Sequence, residues 1–537
     1  LLRGTIDYNQ EIEGMEGAAL RVNLLAHDQD VPGRDFVFNK RYGVNTSLGF
    51  GLQEGSDSRL FIDMFYQEED NLSDYGIPFV PNTVTNPALT PYIYRPAPVD
   101  FDNYYGVPGR DFEENDVARF TVSYEHDFNE SVTFRNQTRV GETNRHNIAT
   151  APRFVGGASL NVNRQFQERD ETVQMFVNQS DFLFEFDTFG LSHEAIAGFE
   201  VSSENYHRDR MAPNIQANQT NIFNPNPLDG SSTSYFYDGR FSDTESLTTA
   251  AYLFDTVEVT EWLDITGGAR FDRVDLDFQT RAAVAGPITS ANRVDDIASG
   301  RAAAVFKPAE HGSVYLGWGT SFNQAVDTVL LGGTLTDVAP EMNETVELGT
   351  KWDLMDERLS LSAALFRIDK TNARSLDTVT NETTLDGSQR VDGFEFGAAG
   401  EIAPWLNMVL SYTHLDATLT GATANASAAE LANVGNDLAN TPEDSFSLWF
   451  QAELPNNFFV GGGPVYVAER YSSTANTNLA PSYLIWDALV GYRVNEKLTL
   501  RMNLNNIADE NYVGTVGGGH FIPGEGRSVM FTASMEF

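Results

Sequence analysis

Basic and aromatic residues are concentrated in two neighbouring stretches of a chain that is otherwise acidic. One stretch, residues 144–168, carries four basic residues and no acidic residue before Glu168. The other stretch, residues 68–115, is rich in tyrosine. Guanidinium groups and aromatic rings together bind large anionic or aromatic ligands, so the two stretches are candidate walls of a binding vestibule. The candidate contacts are Tyr92, Tyr94, Arg95, Tyr104, Tyr105, Arg110, Arg145, Arg153 and Phe154.

The same residues have a second interpretation that involves no ligand. The stretch 68–115 also contains carboxylates, among them Asp100, Asp102 and Asp111. Its tyrosines could therefore pack a loop, and its arginines could form salt bridges at a rim. For any single residue the packing interpretation is favoured, whereas for the two stretches together the binding interpretation is favoured.

Catalytic chemistry has no comparable support in the sequence. The GxSxG, HExxH and P-loop motifs are absent, and the acidic residues are too scattered for a calcium loop. The chain has no cysteine, which excludes thiolate metal sites and cysteine nucleophiles. Its net charge of −41 opposes binding to a nucleic-acid backbone, which requires a basic surface. The sequence therefore predicts a binding protein with no catalytic site, resident metal or cofactor.

Alternation of polar and apolar residues predicts the elements that hold these side chains. In the last segment, Val529, Phe531, Ala533, Met535 and Phe537 are apolar, and all the residues between them except Met530 are polar. This period of two is typical of a β-strand. Segments of this kind, bounded by turn residues, predict 21 strands and no long helix, with a short helical turn expected at 426–432. The strands are expected near 2–9, 17–27, 41–52, 57–67, 116–127, 130–143, 169–186, 190–207, 245–258, 262–275, 292–307, 311–322, 344–354, 358–371, 389–402, 405–418, 440–453, 456–468, 483–493, 497–506 and 527–537.

The connections between the predicted strands alternate in length. Tight turns, for example 260–262 and 403–405, alternate along the chain with long segments, for example 68–115 and 208–244. Bacterial outer-membrane barrels have this organisation, with tight turns at one end and long external loops at the other. No apolar run is long enough for a membrane helix. The sequence therefore predicts an all-β, antiparallel transmembrane barrel, with Arg119, Arg135 and Arg139 facing its lumen.

The predicted strand number is odd, whereas closed single-chain bacterial barrels have an even number. If the last strand runs towards the periplasm, the strand at 2–9 is the second of a 22-stranded barrel. Its partner would then lie upstream of Leu1. Barrels of 22 strands are typical of plugged outer-membrane transporters, whereas porins have about 16–18 strands.

Several motifs resemble the barrel of the TonB-dependent siderophore receptors, over essentially the whole chain. They are TVELGTKWD (345–353), LSLSAALFRIDKTN (359–372), VDGFEFGAAG (391–400), NLNNIADENY (503–512) and the terminal Phe537. A narrower likeness, to the Fiu/PiuA type that is associated with catecholate siderophores, is carried by VPGRD (31–35), DYGIP (74–78), NYYG (103–106), EHDF (125–128), RNQTR (135–139) and APR (151–153).

This resemblance implies a domain organisation and a function. Residues 1–537 would form barrel strands 2 to 22 with long extracellular loops, in the bacterial outer membrane. An N-terminal plug, preceded by a TonB box, would lie upstream, outside this sequence. The receptor would bind and import a ferric siderophore of the catecholate type as a transported ligand, with energy from TonB, ExbB and ExbD acting on the plug.

Other partners and roles are also implied by the resemblance. Phe537 would be part of the signal that the barrel assembly machinery recognises, and outer-membrane lipid and lipopolysaccharide would surround the barrel. Arg119, Arg135 and Arg139 would either guide an anion inwards or pair with acidic groups of the plug. The alternatives to a siderophore are haem, cobalamin or a sugar as cargo, or a passive or structural barrel.

Overall fold

The computed structural model describes residues 1–229, 234–323, 339–377, 382–422 and 428–537, with backbone only at 374–377 and 382–386. Strands are numbered in chain order, with the short ones included. The long strands are β1 (Leu2–Glu11), β2 (Ala19–Asp30), β3 (Phe38–Phe50), β4 (Ser58–Asn71), β6 (Phe112–Asn129), β7 (Val132–Phe154), β8 (Asn161–Thr188), β9 (Leu191–Pro213), β11 (Tyr235–Thr260), β12 (Leu263–Arg281), β13 (Thr289–Ala309), β14 (Gly312–Asn323), β15 (Glu341–Leu354), β16 (Leu359–Asp377), β17 (Glu382–Ala403), β18 (Leu406–Gly421), β19 (Asp444–Glu453), β20 (Phe458–Val467), β23 (Tyr483–Arg493), β24 (Leu498–Asn505) and β27 (Ser528–Met535).

Short elements lie between the long strands along the chain. They are β5 (Ile77–Pro78), β10 (Thr220–Asn221), β21 (Arg470–Tyr471), β22 (Leu479–Ala480), β25 (Val513–Gly517), β26 (His520–Pro523), the helix α1 (Ala428–Ala432) and a 3₁₀ turn at Thr90–Tyr92. The helix confirms the described part of the helical turn expected at 426–432. Among the described residues, no helix is long and apolar enough to cross a membrane.

The long strands form one antiparallel sheet in which each strand pairs with the next along the chain. All 21 predicted strand segments are confirmed, because each coincides with one long strand. The sheet counts 22 members because the two-residue β10 pairs with the end of β8. Within the part of the chain that the structure describes, the sheet has two edge strands. Strand β1 pairs only with β2, and β27 pairs only with β24.

The two faces of the sheet differ in polarity as predicted. In β27, Val529 and Phe531 are 53% and 78% exposed and lie opposite Leu504 and Met502 of β24. Large apolar side chains left exposed in this way are expected where strands face lipid. Trp262, next to a tight turn, is also exposed (51%), as expected for an aromatic belt at a membrane interface.

Strands β7, β8, β9 and β11 are much longer than a bilayer requires. They contain 23, 28, 23 and 26 residues, whereas about 10 residues cross the lipid. Their tight turns, for example 189–190, lie at one end of the sheet, so the excess length extends beyond the opposite end. We call that opposite end the loop end. Of the predicted loop 208–244, the structure describes residues 208–229 and 234–244. Both ends of this segment are strand, because β9 continues to Pro213 and β11 begins at Tyr235.

The prediction of a loop over 144–168 is wrong. Strand β7 continues to Phe154 and β8 begins at Asn161, which leaves only 155–160 as a connection. The alternation disappears here because both faces of β7 are covered: Ile148, Ala149 and Ala151 are at most 4% exposed. A strand that is covered on both sides does not need one apolar and one polar face, so its sequence need not alternate.

A folded layer at the loop end covers these faces. Residues 72–111 and 513–523, which we call the cap, are joined through a three-stranded sheet of β5, β26 and β25. The apolar core of the cap also includes Val162 of β8, Ile222 and Ala480. The aromatic pair Phe79 and Phe521, with ring centroids 5.3 Å apart, lies inside it. The cap therefore fixes side chains from distant parts of the sequence next to one another.

Candidate ligand-binding site

Strand β7 carries four arginines on one face. Arg135, Arg139, Arg145 and Arg153 are separated by even numbers of residues, so they project from the side opposite Val140, which is 43% exposed on the lipid-facing side. At about 3.3 Å per residue, the row extends roughly 60 Å along the strand, from the tight turns to the loop end. An anion that moved along this face would pass one guanidinium group after another.

The arginines near the tight turns differ in their partners. Arg135 forms an ion pair with Glu125 at 2.5 Å. Arg139 Nε instead donates to Thr121 Oγ1 at 3.1 Å, and the Arg119 guanidinium lies 5.2 Å from the centroid of an aromatic ring. Within the described residues, neither Arg119 nor Arg139 has a carboxylate at ion-pair distance. Both charges are therefore available to an anionic group that is not part of these strands.

The two adjacent tyrosines of the cap are buried, which agrees with the packing interpretation and not with their assignment as ligand contacts. Tyr104 and Tyr105 are each 1% exposed. The Tyr104 hydroxyl donates to the carbonyl oxygen of Ser73 at 3.1 Å, and the Tyr105 hydroxyl donates to that of Ile222 at 2.6 Å. Burial raises the pKa of both phenols. Their rings pack the cap against the ends of the strands and do not form a surface that a ligand can reach.

Arg110 is also inside the cap, contrary to the expectation of a vestibule contact. Its Nε lies 3.0 Å from Asp111 Oδ1, and both side chains are fully buried. Thr150 accepts from Arg110 and donates to Asp111, while the backbone N–H of Val107 donates to the same carboxylate at 3.0 Å. Burial raises the pKa of Asp111, and the neighbouring guanidinium opposes that shift. The group is a closed ion pair that fastens the cap to β7.

The remaining candidates are divided between the strand and the surface of the cap. Arg145 lies on β7 and is ion-paired with a carboxylate of β6 at 3.2 Å. Arg95 is exposed, Tyr92 is 41% exposed and Tyr94 is half-buried in a backbone conformation with φ of 65°. Phe154 packs against the apolar core of the cap. Their part in ligand binding stays a prediction.

Among the sequence-predicted candidates, Arg153 lies beside a histidine, a tyrosine and a glutamine that can also contact a ligand. Its Nη1 lies 3.3 Å from Nδ1 of His520, and its Cζ lies 5.8 Å from the centroid of the Tyr75 ring. The Tyr75 and His520 rings are 4.3 Å apart, and Arg153 Nε donates to Gln165 Oε1 at 3.2 Å. We call these four residues the Arg153 cluster. It presents a cation, two rings and an amide at the loop end.

The protonation state of His520 follows from its surroundings. Burial and the charge on Arg153 lower its pKa to about 3, so the ring is neutral at physiological pH and Nδ1 can accept from the guanidinium. Burial also lowers the pKa of Arg153, although an arginine stays charged. The cluster therefore carries one positive charge with no carboxylate among its members. Tyr75 and His520 are absent from the sequence-predicted candidates, because no local pattern joins positions so far apart.

Comparison with known proteins identifies the fold. Residues 48–507 match the family described as "TonB dependent receptor-like, beta-barrel". The chain belongs to the TonB-dependent receptor family. It is an outer-membrane β-barrel of a family of receptors and transporters rather than enzymes. The resemblance of the sequence motifs to this family is thus confirmed.

Two relatives are similar to this TonB-dependent receptor over its whole length. The catecholate siderophore receptor Fiu of Escherichia coli K12 is 30% identical over 586 residues, which cover 100% of this chain and 74% of Fiu. A crystal structure of Fiu in its closed form matches with a TM-score of 0.86 at 27% identity, covering 100% of this chain and 80% of that one. The crystal structure of the siderophore receptor PiuA of Acinetobacter baumannii matches with a TM-score of 0.89 at 26% identity, covering 99% and 79%.

Proposed function

We propose that the chain is the barrel of a receptor that binds a ferric siderophore of the catecholate type and imports it across the outer membrane. Membership of the TonB-dependent receptor family supports an import function. The likeness to Fiu and PiuA supports a siderophore as the cargo, and the name of Fiu specifies a catecholate. The siderophore would be a transported ligand and not a cofactor.

The Arg153 cluster is the observation that carries this proposal. A ferric tris-catecholate is a large anion whose surface consists of aromatic rings. Arg153 offers a charge that no carboxylate of the cluster neutralises, and Tyr75 offers an aromatic face beside it. Cations and rings together bind such a ligand best where water is partly excluded, as in this half-buried position. Arg95 and Tyr92, exposed on the cap, are candidate outer contacts.

Arg119 and Arg139 support a path from the cluster into the barrel. They lie on the polar face of β6 and β7, below Arg153, and among the described residues they contact a hydroxyl group and an aromatic ring. Two uses fit this arrangement: they attract the anion inwards, or they bind acidic groups of a plug that occupies the lumen. Arg135, which is already paired with Glu125, is a weaker candidate for either use.

The open edges of the sheet support a further strand. Strands β1 and β27 are the first and the last of 21 consecutive antiparallel strands, so they run in the same direction. An antiparallel barrel closes only when one more strand lies between them, and an unpaired strand edge is unfavourable in lipid. We therefore propose a 22-stranded barrel. Rapid hydrogen exchange of the free-edge amides of β1 in the complete protein would contradict it.

The further partners follow from the same proposal. TonB, with ExbB and ExbD, would act on the plug, and the apolar face of the barrel would contact outer-membrane lipid and lipopolysaccharide. Phe537, which is 96% exposed beyond the end of β27, would be available to the barrel assembly machinery. A test of this role is the yield of folded barrel from Phe537→Ala, compared with Phe537→Tyr as the aromatic control.

The test of the proposed function is binding of a panel of ferric chelates to the complete protein in detergent, followed by tryptophan fluorescence. Submicromolar binding of a ferric tris-catecholate, weakened at least tenfold by Arg153→Gln, is the expected result. The matched control is Arg493→Gln, which removes an arginine ion-paired with Glu453 at the opposite end of the barrel. Binding of haem, cobalamin or a sugar, with no binding of any ferric siderophore, would overturn the choice of cargo.

A further inference from the structure

Three consecutive glycines lead into His520 of the Arg153 cluster. Residues 517–519 span the turn between β25 and β26, and Gly518 has φ of 54°, a left-handed conformation that favours glycine. Glycine has more conformational freedom to lose than any other residue, so a run of three does not by itself hold a neighbouring side chain in place. The His520 ring nevertheless lies 4.3 Å from the Tyr75 ring and within hydrogen-bonding distance of Arg153. Contacts from elsewhere in the fold must therefore fix this turn.

The fixing contacts come from a hairpin that precedes β23. Strands β21 and β22 pair with each other, and we call them and the residues between them the 470–480 hairpin. Ser472 is buried, and its Oγ donates to the carbonyl oxygen of Gly518 at 2.6 Å. Asn478 Nδ2 donates to the same oxygen at 3.2 Å, and the N–H of Ser472 donates to the carbonyl of Asn478 at 2.9 Å. Both sides of the hairpin therefore hold one carbonyl of the glycine turn.

Arg470, at the start of the hairpin, fixes the strand that leads into the turn. Its Nη2 donates to the carbonyl oxygens of Val513 and Gly514 in β25, each at 3.0 Å, and its Nε donates to Asn440 Oδ1 at 2.9 Å. The residue is 5% exposed, and burial lowers its pKa. A buried cation whose acceptors are backbone carbonyls holds those carbonyls firmly, because the charge would otherwise lack solvation.

The hairpin is itself held between the cap and the segment that precedes β19. The N–H of Leu479 donates to the carbonyl of Tyr94 at 3.0 Å, and Ala480 belongs to the apolar core of the cap. On the other side, Asn436 Nδ2 donates to the carbonyl of Thr474 at 2.9 Å. The hairpin is therefore anchored independently of the glycine turn and can act as a fixed support for it.

We propose that the 470–480 hairpin is the positioning element of the Arg153 cluster and that Ser472 is its principal contact. By holding the Gly518 carbonyl, Ser472 keeps the His520 ring against Tyr75 and within reach of the Arg153 guanidinium group. Ser472 is a positioning residue, because it acts on the cluster only through the backbone of the turn. Its effect on siderophore affinity rests on the proposed function, whereas its effect on His520 does not depend on the cargo.

The test is NMR titration of the histidine ring protons in the complete protein in detergent, with and without Ser472→Ala. Burial and the charge on Arg153 hold the pKa of His520 at about 3. Release of the turn hydrates the ring, so Ser472→Ala is expected to raise this pKa by roughly one unit or more. The same variant is expected to weaken binding of a ferric tris-catecholate about fivefold, as for the loss of one hydrogen bond. Adding Asn478→Ala removes both side-chain donors to Gly518 and should enlarge both effects.

Ser473→Ala is the matched control, because it is the same substitution at the next position of the hairpin. Among the described residues, only the backbone carbonyl of Ser473 is hydrogen-bonded, and it accepts from Asn476. This variant should leave both the pKa of His520 and the siderophore affinity unchanged. Migration of the unheated protein on a denaturing gel shows whether each variant still forms a folded barrel.

Two results would overturn the proposal. One is an unchanged pKa of His520 in Ser472→Ala and in the double variant. The other is an equal rise of that pKa in Ser473→Ala, which would mean that any change in the hairpin loosens the cap. A raised pKa with unchanged siderophore affinity has a different meaning. It would confirm that Ser472 positions His520, and it would remove the Arg153 cluster from the proposed function.

Discussion

Arg153 Nη1 lies 3.3 Å from Nδ1 of His520, although the two residues are 367 positions apart in the chain. The contact joins the end of β7 to β26 of the cap, and the Tyr75 ring covers both side chains. A neutral imidazole can accept a hydrogen bond from a guanidinium group, whereas a protonated one would repel it. The geometry of the cluster therefore depends on His520 remaining unprotonated.

The first prediction concerns the pH dependence of the cap. The pKa of His520 is lowered to about 3 in the folded protein, against an ordinary value of 6.5. Because the unfolded chain binds the proton more readily, the stabilising contribution of His520 is complete above about pH 6.5 and decreases as pH falls towards 3. We expect protease cleavage within 513–523 to increase over this range. His520→Gln, which keeps an acceptor for Arg153 but does not titrate, should remove the added pH dependence.

His207 provides an internal control with the opposite shift. Hydrogen bonds to Asp243 and Asp209 raise its pKa, despite partial burial. NMR titration of the histidine ring protons should therefore show His207 titrating above 6.5 and His520 far below it. A normal pKa for His520 would show that the ring is hydrated, and the proposed hydrogen bond from Arg153 would not hold.

The second prediction separates charge from geometry at Arg153. Arg153→Lys keeps the charge but loses the planar fork that contacts His520 and Gln165 together. We expect Arg153→Gln to weaken binding of a ferric tris-catecholate by at least tenfold, because a charge-assisted hydrogen bond contributes about 1.5–3 kcal/mol. Arg153→Lys should recover part of the loss. Equal affinities for the two variants would mean that only the shape of the arginine matters, and unchanged affinity in both would exclude Arg153 from the site.

Sequence patterns predicted the framework more completely than they predicted the site. Each predicted strand exists because the period of two persists wherever one face meets lipid and the other does not. The pattern is lost in several segments at the loop end, among them the one around Ile148 and Ala151, where the cap buries both faces of β7. The prediction therefore ended β7 too early and assigned Arg145 and Arg153 to a loop.

The site was predicted less well because its side chains are brought together by the cap. Residue type alone could not distinguish Tyr105, which is buried, from Tyr92, which is exposed. Nor could spacing reveal that His520 approaches Arg153, since their contact depends on the pairing of β26 with β5. Spacing also could not place Arg240 of β11 beside Arg208 and Arg210 of β9, because two strands and a change of register bring them around one cavity.

The third prediction tests the structural role of Tyr105. Tyr105→Phe removes only the hydroxyl that donates to the Ile222 carbonyl, and it should destabilise the cap by about 1 kcal/mol, as expected for one hydrogen bond. Tyr105→Ala also removes the ring from a fully buried position and should cost about 3–5 kcal/mol. Rates of limited proteolysis within 72–111 measure both changes. In Tyr105→Phe the affinity for a ferric chelate should be unchanged, and a tenfold loss would restore this tyrosine to the list of ligand contacts.

The fourth prediction concerns the buried pair of Arg110 and Asp111. Removing one partner leaves an uncompensated charge inside the cap, so Arg110→Met or Asp111→Leu alone should destabilise it by about 3–5 kcal/mol. The double variant removes both charges, and the remaining cost is that of the Thr150 hydroxyl and the Val107 N–H, which lose their partners. We therefore expect the double variant to be more stable than either single variant, because apolar side chains of similar size can replace a buried ion pair at little cost. Hydrogen exchange of the cap amides measures the stability of the cap in the unchanged protein, the two single variants and the double variant. These four values form a double-mutant cycle. Additive effects of the two substitutions would show that the charges do not interact and that each is stabilised by the backbone and Thr150 alone.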